Sequence, residues 1–237
     1  MALDIKTLMT RATTAIVFVA VMLTGLFWNE YSFIALFTIV HFGCWYEFIK
    51  LLKKIYGANY FKYSLFGLVY ITMPILMLFH LSIQGDVSFF NLNDNNRVHY
   101  IHLLPCLIIF SIWINDTMAY LVGSVIGKTP FSKISPKKTW EGTSGGAILC
   151  VLFIGFLFPL IGNQYFLHPV QNYIYFTIAA ICAIFGTLGD LFESKLKRTA
   201  NVKDSGSIMP GHGGFLDRFD SLLVAVPFVW IYVQFFM

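Results

Sequence analysis

The sequence predicts an all-α integral membrane protein with about seven transmembrane helices, its N-terminus cytoplasmic and its C-terminus outside. Two observations carry that prediction. The chain is unusually apolar for its size: 57% of its 237 residues are hydrophobic and 12% are charged, where a soluble domain carries about 25% charge. Its mean hydropathy is +0.71. The second observation is placement: the charges fall between apolar runs, and the cations fall on alternate connections.

Seven runs come close to the roughly 20 residues that a helix needs to cross a bilayer. They are 12–28, 31–49, 63–83, 100–126, 144–162, 171–192 and 219–236. The first follows Lys6 and Arg11, as the core of a signal peptide would. No small-residue cleavage site comes after it, so it reads as a retained helix. The next inner connection carries Lys50, Lys53, Lys54 and Lys62, and the one after carries Lys128, Lys133, Lys137 and Lys138. The last carries Lys195, Lys197, Arg198, Lys203 and Arg218. Fifteen of the sixteen cations thus lie on one side and only Arg97 on the other, which the positive-inside rule makes cytoplasmic. Losing one helix from the count would scramble that pattern.

The expected organisation is a single polytopic membrane domain over 1–237. N-terminal helices span about 12–83, and a chemistry-bearing part spans about 100–237 with cytoplasmic loops 127–143 and 193–218. The outer connection 84–99 is polar and reads as solvated; 162–170 has no formal charge. The net charge of +4 is read as topology, so no nucleic acid partner is expected. Cys44, Cys106, Cys150 and Cys182 all sit in apolar runs without a C-x-x-C pair, and read as small buried hydrophobes.

The unusual residues concentrate at 186–220. Asp190, Glu193, Ser194 and Lys197 stand at i, i+3, i+4 and i+7, so a helix continuing past the membrane surface places them on one face. Gly186 and Gly189 allow a neighbouring helix or a ligand to come close. Helix C-termini favour cations, so a carboxylate there needs a partner, and a metal ion is one. Lys197, Arg198 and Lys203 then lead into Gly206, Gly211, Gly213 and Gly214. Backbone N–H groups of such a loop can cradle an anion, and the cations can meet phosphate oxygens. Asp217 and Asp220, with Arg218 between them, open the last helix. They suit Mg2+, which takes oxygen ligands and is commonly held by one or two carboxylates plus substrate phosphates. Asp190 and Asp217 bracket one loop and are the expected metal ligands. His212 reads as a loop hydrogen bond or a catalytic group.

A second stretch runs from Asn115-Asp116 through Tyr120, Gly123 and Gly127-Lys128 to Ser135-Pro-Lys137-Lys138-Thr-Trp-Glu141-Gly142. Asp116 lies well inside an apolar run, where it must pair or line a polar cavity. Lys137 and Lys138 read as an anion clamp. Glu47 is expected to pair with a nearby lysine. His41 and His80 read as satisfied interior histidines; His99, His102 and His168 read as exposed.

These stretches resemble the phosphatidate cytidylyltransferases, the CDP-diacylglycerol synthases of membranes. Their signature is S-x-hydrophobic-K-R-x4-K-D-x-small-x2-hydrophobic-P-x-H-G-G-hydrophobic-x-D-R-hydrophobic-D, and Ser194 to Asp220 follows it, with Met209 where Leu, Ile or Phe is usual. The resemblance covers 115–142 and 186–220; the N-terminal third agrees in hydropathy only. It implies CTP and phosphatidate as substrates, Mg2+ as cofactor with room for a second, monovalent cation such as K+, and surrounding membrane lipid. A homodimer is compatible with it. Asp217, Asp220 and Lys203 would then be catalytic. Substrate binding would fall to Lys137, Lys138, Ser194, Lys197, Arg198, His212, Gly213, Gly214 and Arg218, and metal binding to Asp190 and Asp217. The active site would face the cytoplasm from the cell (inner) membrane. No Ser-His or Cys-His pairing is present, and none is needed when a lipid phosphate is itself the nucleophile. Alternatives are a cytidylyltransferase for another lipid phosphate, such as an ether or isoprenoid lipid, a transporter of an anionic solute, and a structural membrane protein. A transporter would bring pseudo-repeats, and the sequence has no internal symmetry.

Overall fold

The computed structural model describes residues 5–89, 103–162, 171–208 and 213–237, and these form helices with no strand among the described residues. In chain order they are α1 (Ile5–Phe27), α2 (Glu30–Tyr56), the short α3 (Tyr60–Ser64), α4 (Met73–Phe89), α5 (Leu103–Ile126), α6 (Trp140–Gly162), α7 (Asn172–Thr199) and α8 (Leu216–Phe236). One π-helical turn, Leu68–Thr72, leads into α4. His99, His102, His168, His212 and most of the two outer connections lie outside the described residues.

Among the described residues, five stretches are long and apolar enough to cross a membrane: Glu30–Ser64, Leu103–Ile126, Trp140–Leu160, Asn172–Thr199 and Leu216–Phe236. The runs at 12–28 and 63–83 correspond to the shorter apolar helical stretches Ala12–Phe27 and Leu68–Ser82. The lipid-facing composition fits this: Ile16, Phe42, Phe61, Val125 and Phe156 are all exposed on helix surfaces, which water would penalise and hydrocarbon does not.

Local chemistry sets the helix boundaries that matter for the site. Asn29 opens α2 with a capping box: its Oδ1 accepts from Ser32 N–H at 2.8 Å, and Ser32 Oγ accepts from Asn29 N–H at 3.1 Å. Helix α7 runs on past Asp190 and Glu193 to Thr199. Asn201, at φ 53°, adopts the left-handed conformation that short polar side chains tolerate. The Val202 N–H then closes back on Lys197 O at 3.0 Å, and the chain turns toward the bundle again.

Helices α5, α6, α7 and α8 pack in sequence, with α5 also against α7 and α8. Helix α4 packs on α8 and α5, and α2 reaches α1, α4, α7 and α8. Small residues set two close approaches. A β-carbon on Gly142 would lie 2.8 Å from Ala119 O and from Gly123 Cα, so α5 and α6 touch backbone to backbone there. A β-carbon on Gly189 would lie 2.5 Å from Asp220 O and 3.0 Å from Ser221 Cα, which presses α7 onto α8 beside two of the predicted site residues. Gly186 has only ordinary contacts around it, with Ser221 Cβ at 3.5 Å. Phe33, Phe37 and Phe219 centre the aromatic core between α2 and α8. All four cysteines are buried and unpaired, as expected.

Candidate active site

A cavity of about 860 Å³ opens between α5, α7, α8, the loop 127–139 and residues 203–207 and 213. Small-ligand sites occupy about 300–1,000 Å³. Both chemistry-bearing stretches of the sequence reach it. From the first come Asn115, Asp116, Tyr120, Gly123, Lys137 and Lys138; from the second come Asp190, Lys197, Lys203, Gly213, Asp217, Arg218 and Asp220. Phe18, Ile112 and Trp113 form an apolar wall.

The lysine loop is held in a defined shape. Phe131 N–H donates to Lys138 O at 2.7 Å and Trp140 N–H to Thr129 O at 2.9 Å, closing the loop across a Pro130–Thr139 bridge. Glu141, in the first turn of α6, accepts from the Lys128 and Thr129 N–H groups and from Thr129 Oγ1. These bonds present Lys137 and Lys138 to the cavity, where Lys138 forms an ion pair with Asp190.

On α7 the predicted face forms as the spacing requires. Ser194 Oγ donates to Asp190 Oδ1 at 3.2 Å, and Lys197 pairs with the fully buried Glu193 one turn away. Lys197 also donates to Asp217 Oδ1 at 2.6 Å, tying α7 to the start of α8. Asp217 Oδ2 accepts from Ser205 N–H at 2.9 Å, Ser205 Oγ at 2.8 Å and Gly214 N–H at 2.8 Å. Asp217 therefore already organises the loop that precedes it. Asp220 is buried, takes the Ser221 N–H at 2.7 Å, and lies in the electrostatic field of Asp190 and Asp116.

The surroundings of Glu47 and His80 differ from those expected. Glu47 pairs with no lysine among the described residues. It is buried and accepts from Ser205 Oγ, Phe215 N–H and Leu216 N–H at 2.7, 3.0 and 2.9 Å. The reason is the loop itself: Gly206 and Gly214 have no β-carbon, and one at either position would collide with the Glu47 carboxylate. The glycine-rich backbone thus cradles carboxylates of the protein, Glu47 and Asp217, and the Gly214 N–H is committed to Asp217. His80 is satisfied, accepting from Trp230 Nε1 at 2.9 Å, but it is exposed on the bundle surface; His41 is half-buried against Thr72 Oγ1. Arg198 is exposed and Ser194 is half-buried, and neither lines the cavity. Cavity residues that the motif reading passed over include Thr187 and Ser221, whose neutral side chains carry no pattern in a sequence.

The donor chemistry fits a hard cation. Asp116, Asp190 and Asp220 line one cavity. Among the described residues no three acidic, His or Cys side chains converge as a complete ligand set. A Mg2+ site commonly draws one or two carboxylates from the protein and its remaining ligands from substrate phosphates and water. Lys197 occupies Asp217 Oδ1 and Lys138 pairs with Asp190, so a cation at either carboxylate would share it with, or displace, a lysine. Asn115 Oδ1, buried without a partner beside Asp116, is a further oxygen of the same class.

Comparison with known proteins identifies the family. The profile of the cytidylyltransferase family matches residues 60–236. The phosphatidate cytidylyltransferase of Rickettsia typhi is 35% identical over 233 residues, covering 96% of this chain and 92% of the relative. Proteins of the same name from Bacillus subtilis and Staphylococcus aureus are 44% and 45% identical over 126 and 141 residues. Those two alignments cover 53% and 59% of this chain, and 45% and 50% of the relatives. With three quarters of its length inside the profile and one relative aligned almost end to end, the chain belongs to the cytidylyltransferase family.

Proposed function

We propose that the protein transfers the cytidylyl group of CTP to phosphatidate, giving CDP-diacylglycerol and pyrophosphate. The observation that carries this reading is the single cavity in which carboxylates and cations from both sequence stretches meet beside the apolar wall of Phe18, Ile112 and Trp113. Relatives named phosphatidate cytidylyltransferase supply the substrate class. Nothing among them supports a solute transporter.

A phosphate oxygen of the lipid attacks the α-phosphorus of CTP, a new phosphorus–oxygen bond forms, and the bond to the β-phosphate oxygen breaks. A phosphomonoester is largely dianionic near neutral pH, since its second pKa is about 6, so no protein nucleophile takes part. What remains is to hold two polyanions together and to stabilise pyrophosphate as it leaves, a task of positioning and charge. Lys137, Lys138, Lys197, Lys203 and Arg218 bring cations to the cavity. Lys138 and Lys197 are poised on carboxylates, and phosphate oxygens compete for the same ammonium groups. Asp190 and Asp217, with Asp220 and Asp116 beside them, are the oxygens that would hold Mg2+, whose charge neutralises phosphate oxygens when bound. A monovalent cation such as K+ has the remaining oxygens available.

In this reading loops 127–143 and 193–218 face the cytoplasm from the inner membrane and the chain spans it seven times; the 15-to-1 cation split supports both. CTP then arrives from water while acyl chains stay in lipid. Purified protein given Mg2+, CTP and phosphatidate, assayed for pyrophosphate and CDP-diacylglycerol, tests the reading.

A further inference from the structure

We infer that Glu47, on α2 and outside the stretches that carry the resemblance, is the positioning residue that holds residues 203–208 and 213–216 in their working arrangement. The inference rests on the reaction proposed above, and it assigns Glu47 no contact with substrate: Glu47 does not line the cavity.

The geometry is that of a helix cap supplied from another helix. The residue preceding α8 is Phe215, whose side chain has no acceptor and makes no cap hydrogen bond, and the local Asp217 carboxylate takes the Gly214 N–H instead. The first N–H groups of a helix are left without intrahelical partners. Glu47, 168 residues earlier in the chain, fills the gap by accepting from Phe215 N–H at 3.0 Å and Leu216 N–H at 2.9 Å. A carboxylate at a helix N-terminus also sits at the favourable end of the helix dipole. Glu47 Oε2 takes Ser205 Oγ as well, so one buried carboxylate bonds both arms of the loop.

The surrounding residues are shaped for this contact. Gly43 lies one turn before Glu47 on the same face of α2, and a β-carbon there would collide with the Phe215 ring. Gly206 and Gly214 leave room for the carboxylate itself. Three glycines from three segments thus clear space for Glu47 and for the residue it caps. The consequence reaches the cavity through Asp217. Its Oδ2 is held by Ser205, which Glu47 also bonds, and by Gly214, which adjoins Phe215; Lys203 precedes Ser205 by two residues. Without Glu47, the α8 N-terminus and Ser205 lose their common anchor. Asp217, Lys197 and Lys203 then sample other positions, and a misplacement of about 1 Å can cost a hundredfold in rate.

The test compares wild type with Glu47→Ala, Glu47→Gln and Ser205→Ala in detergent-purified full-length protein. Hydrogen exchange followed by mass spectrometry reads the loop without reference to activity. For Glu47→Ala, faster exchange by about tenfold or more is expected in peptides covering 203–208 and 213–219, with α5 and α6 unchanged. Turnover per folded molecule should fall about tenfold to a hundredfold, mainly in kcat rather than in KM for CTP. Glu47→Gln keeps one carbonyl acceptor and should lie between the two. If Glu47→Ala does not accumulate as folded protein, Glu47→Gln and Ser205→Ala carry the same comparison. Unchanged exchange in these peptides, or lowered thermal stability with normal kcat per folded molecule, overturns the inference. Wild type that exchanges as described but releases no pyrophosphate from CTP and phosphatidate overturns the proposed reaction instead, which keeps the two failures apart.

Discussion

Glu47 and Asp217 share one hydroxyl: Ser205 Oγ lies 2.7 Å from Glu47 Oε2 and 2.8 Å from Asp217 Oδ2. A serine has a single hydroxyl proton to divide between them, so this atom ties α2 to the start of α8. Ser205 is itself buried. Ser205→Ala strips a donor from two carboxylates and should cost about 1–3 kcal/mol of stability. Thermal unfolding in detergent measures it; an unchanged midpoint would mean that the shared hydroxyl contributes nothing.

The two predicted metal ligands should separate in their effect on folding. Asp190→Asn and Asp217→Asn are each expected to lower turnover about a hundredfold or more, as the removal of a group that organises transition-state charge does. Asp217 holds Lys197, Ser205 and Gly214, whereas the described partners of Asp190 are Ser194 and Lys138. Only Asp217→Asn should therefore also lower the unfolding midpoint clearly. The double variant should lose less than the two losses combined, because residues acting as one unit fail together. Rates at several Mg2+ concentrations, beside unfolding curves, check both parts.

Neighbouring glycines on α7 make a sharper packing test. A β-carbon at Gly189 meets Asp220 O at 2.5 Å and Ser221 Cα at 3.0 Å, both backbone atoms of α8. Gly189→Ala should cost about 1–3 kcal/mol, as overpacking does, and should reduce activity by shifting Asp220. At Gly186 the nearest atoms are 3.5 and 3.7 Å away, so Gly186→Ala should be tolerated. Equal behaviour of the two variants would mean that the α7–α8 approach is not as described.

These residues also indicate how far the sequence could be read. The face Asp190, Glu193, Ser194 and Lys197 was legible because helical spacing is a local property, and the helix does run on to Thr199. The apolar runs were legible for the same reason, although two of them yield shorter apolar stretches and one passes through a π-helical turn at Leu68–Thr72. The partner of Glu47 was not legible. A lysine-rich neighbourhood at 50–54 suggested an ion pair, whereas the true partners are backbone N–H groups 168 and 169 residues away, which have no signature in a sequence. Nor could pattern alone show that Gly206 and Gly214 leave room for the Glu47 carboxylate, while Gly206 and Gly213 also line the cavity.

Topology has its own test. Single cysteines at 137 and 203, in a background lacking the four native cysteines, should be labelled by a membrane-impermeant thiol reagent only after the cytoplasmic face is opened. Labelling of either position in intact, sealed cells would reverse the orientation drawn from the cation split.

The most direct measurement is the reaction itself. Purified protein in mixed micelles, supplied with Mg2+, CTP and phosphatidate, is predicted to release pyrophosphate and form CDP-diacylglycerol in equal amounts. Omission of the lipid, the nucleotide or Mg2+ should each abolish both products. Pyrophosphate release that persists without phosphatidate, or folded protein that forms no CDP-diacylglycerol when all three are present, would contradict the assignment.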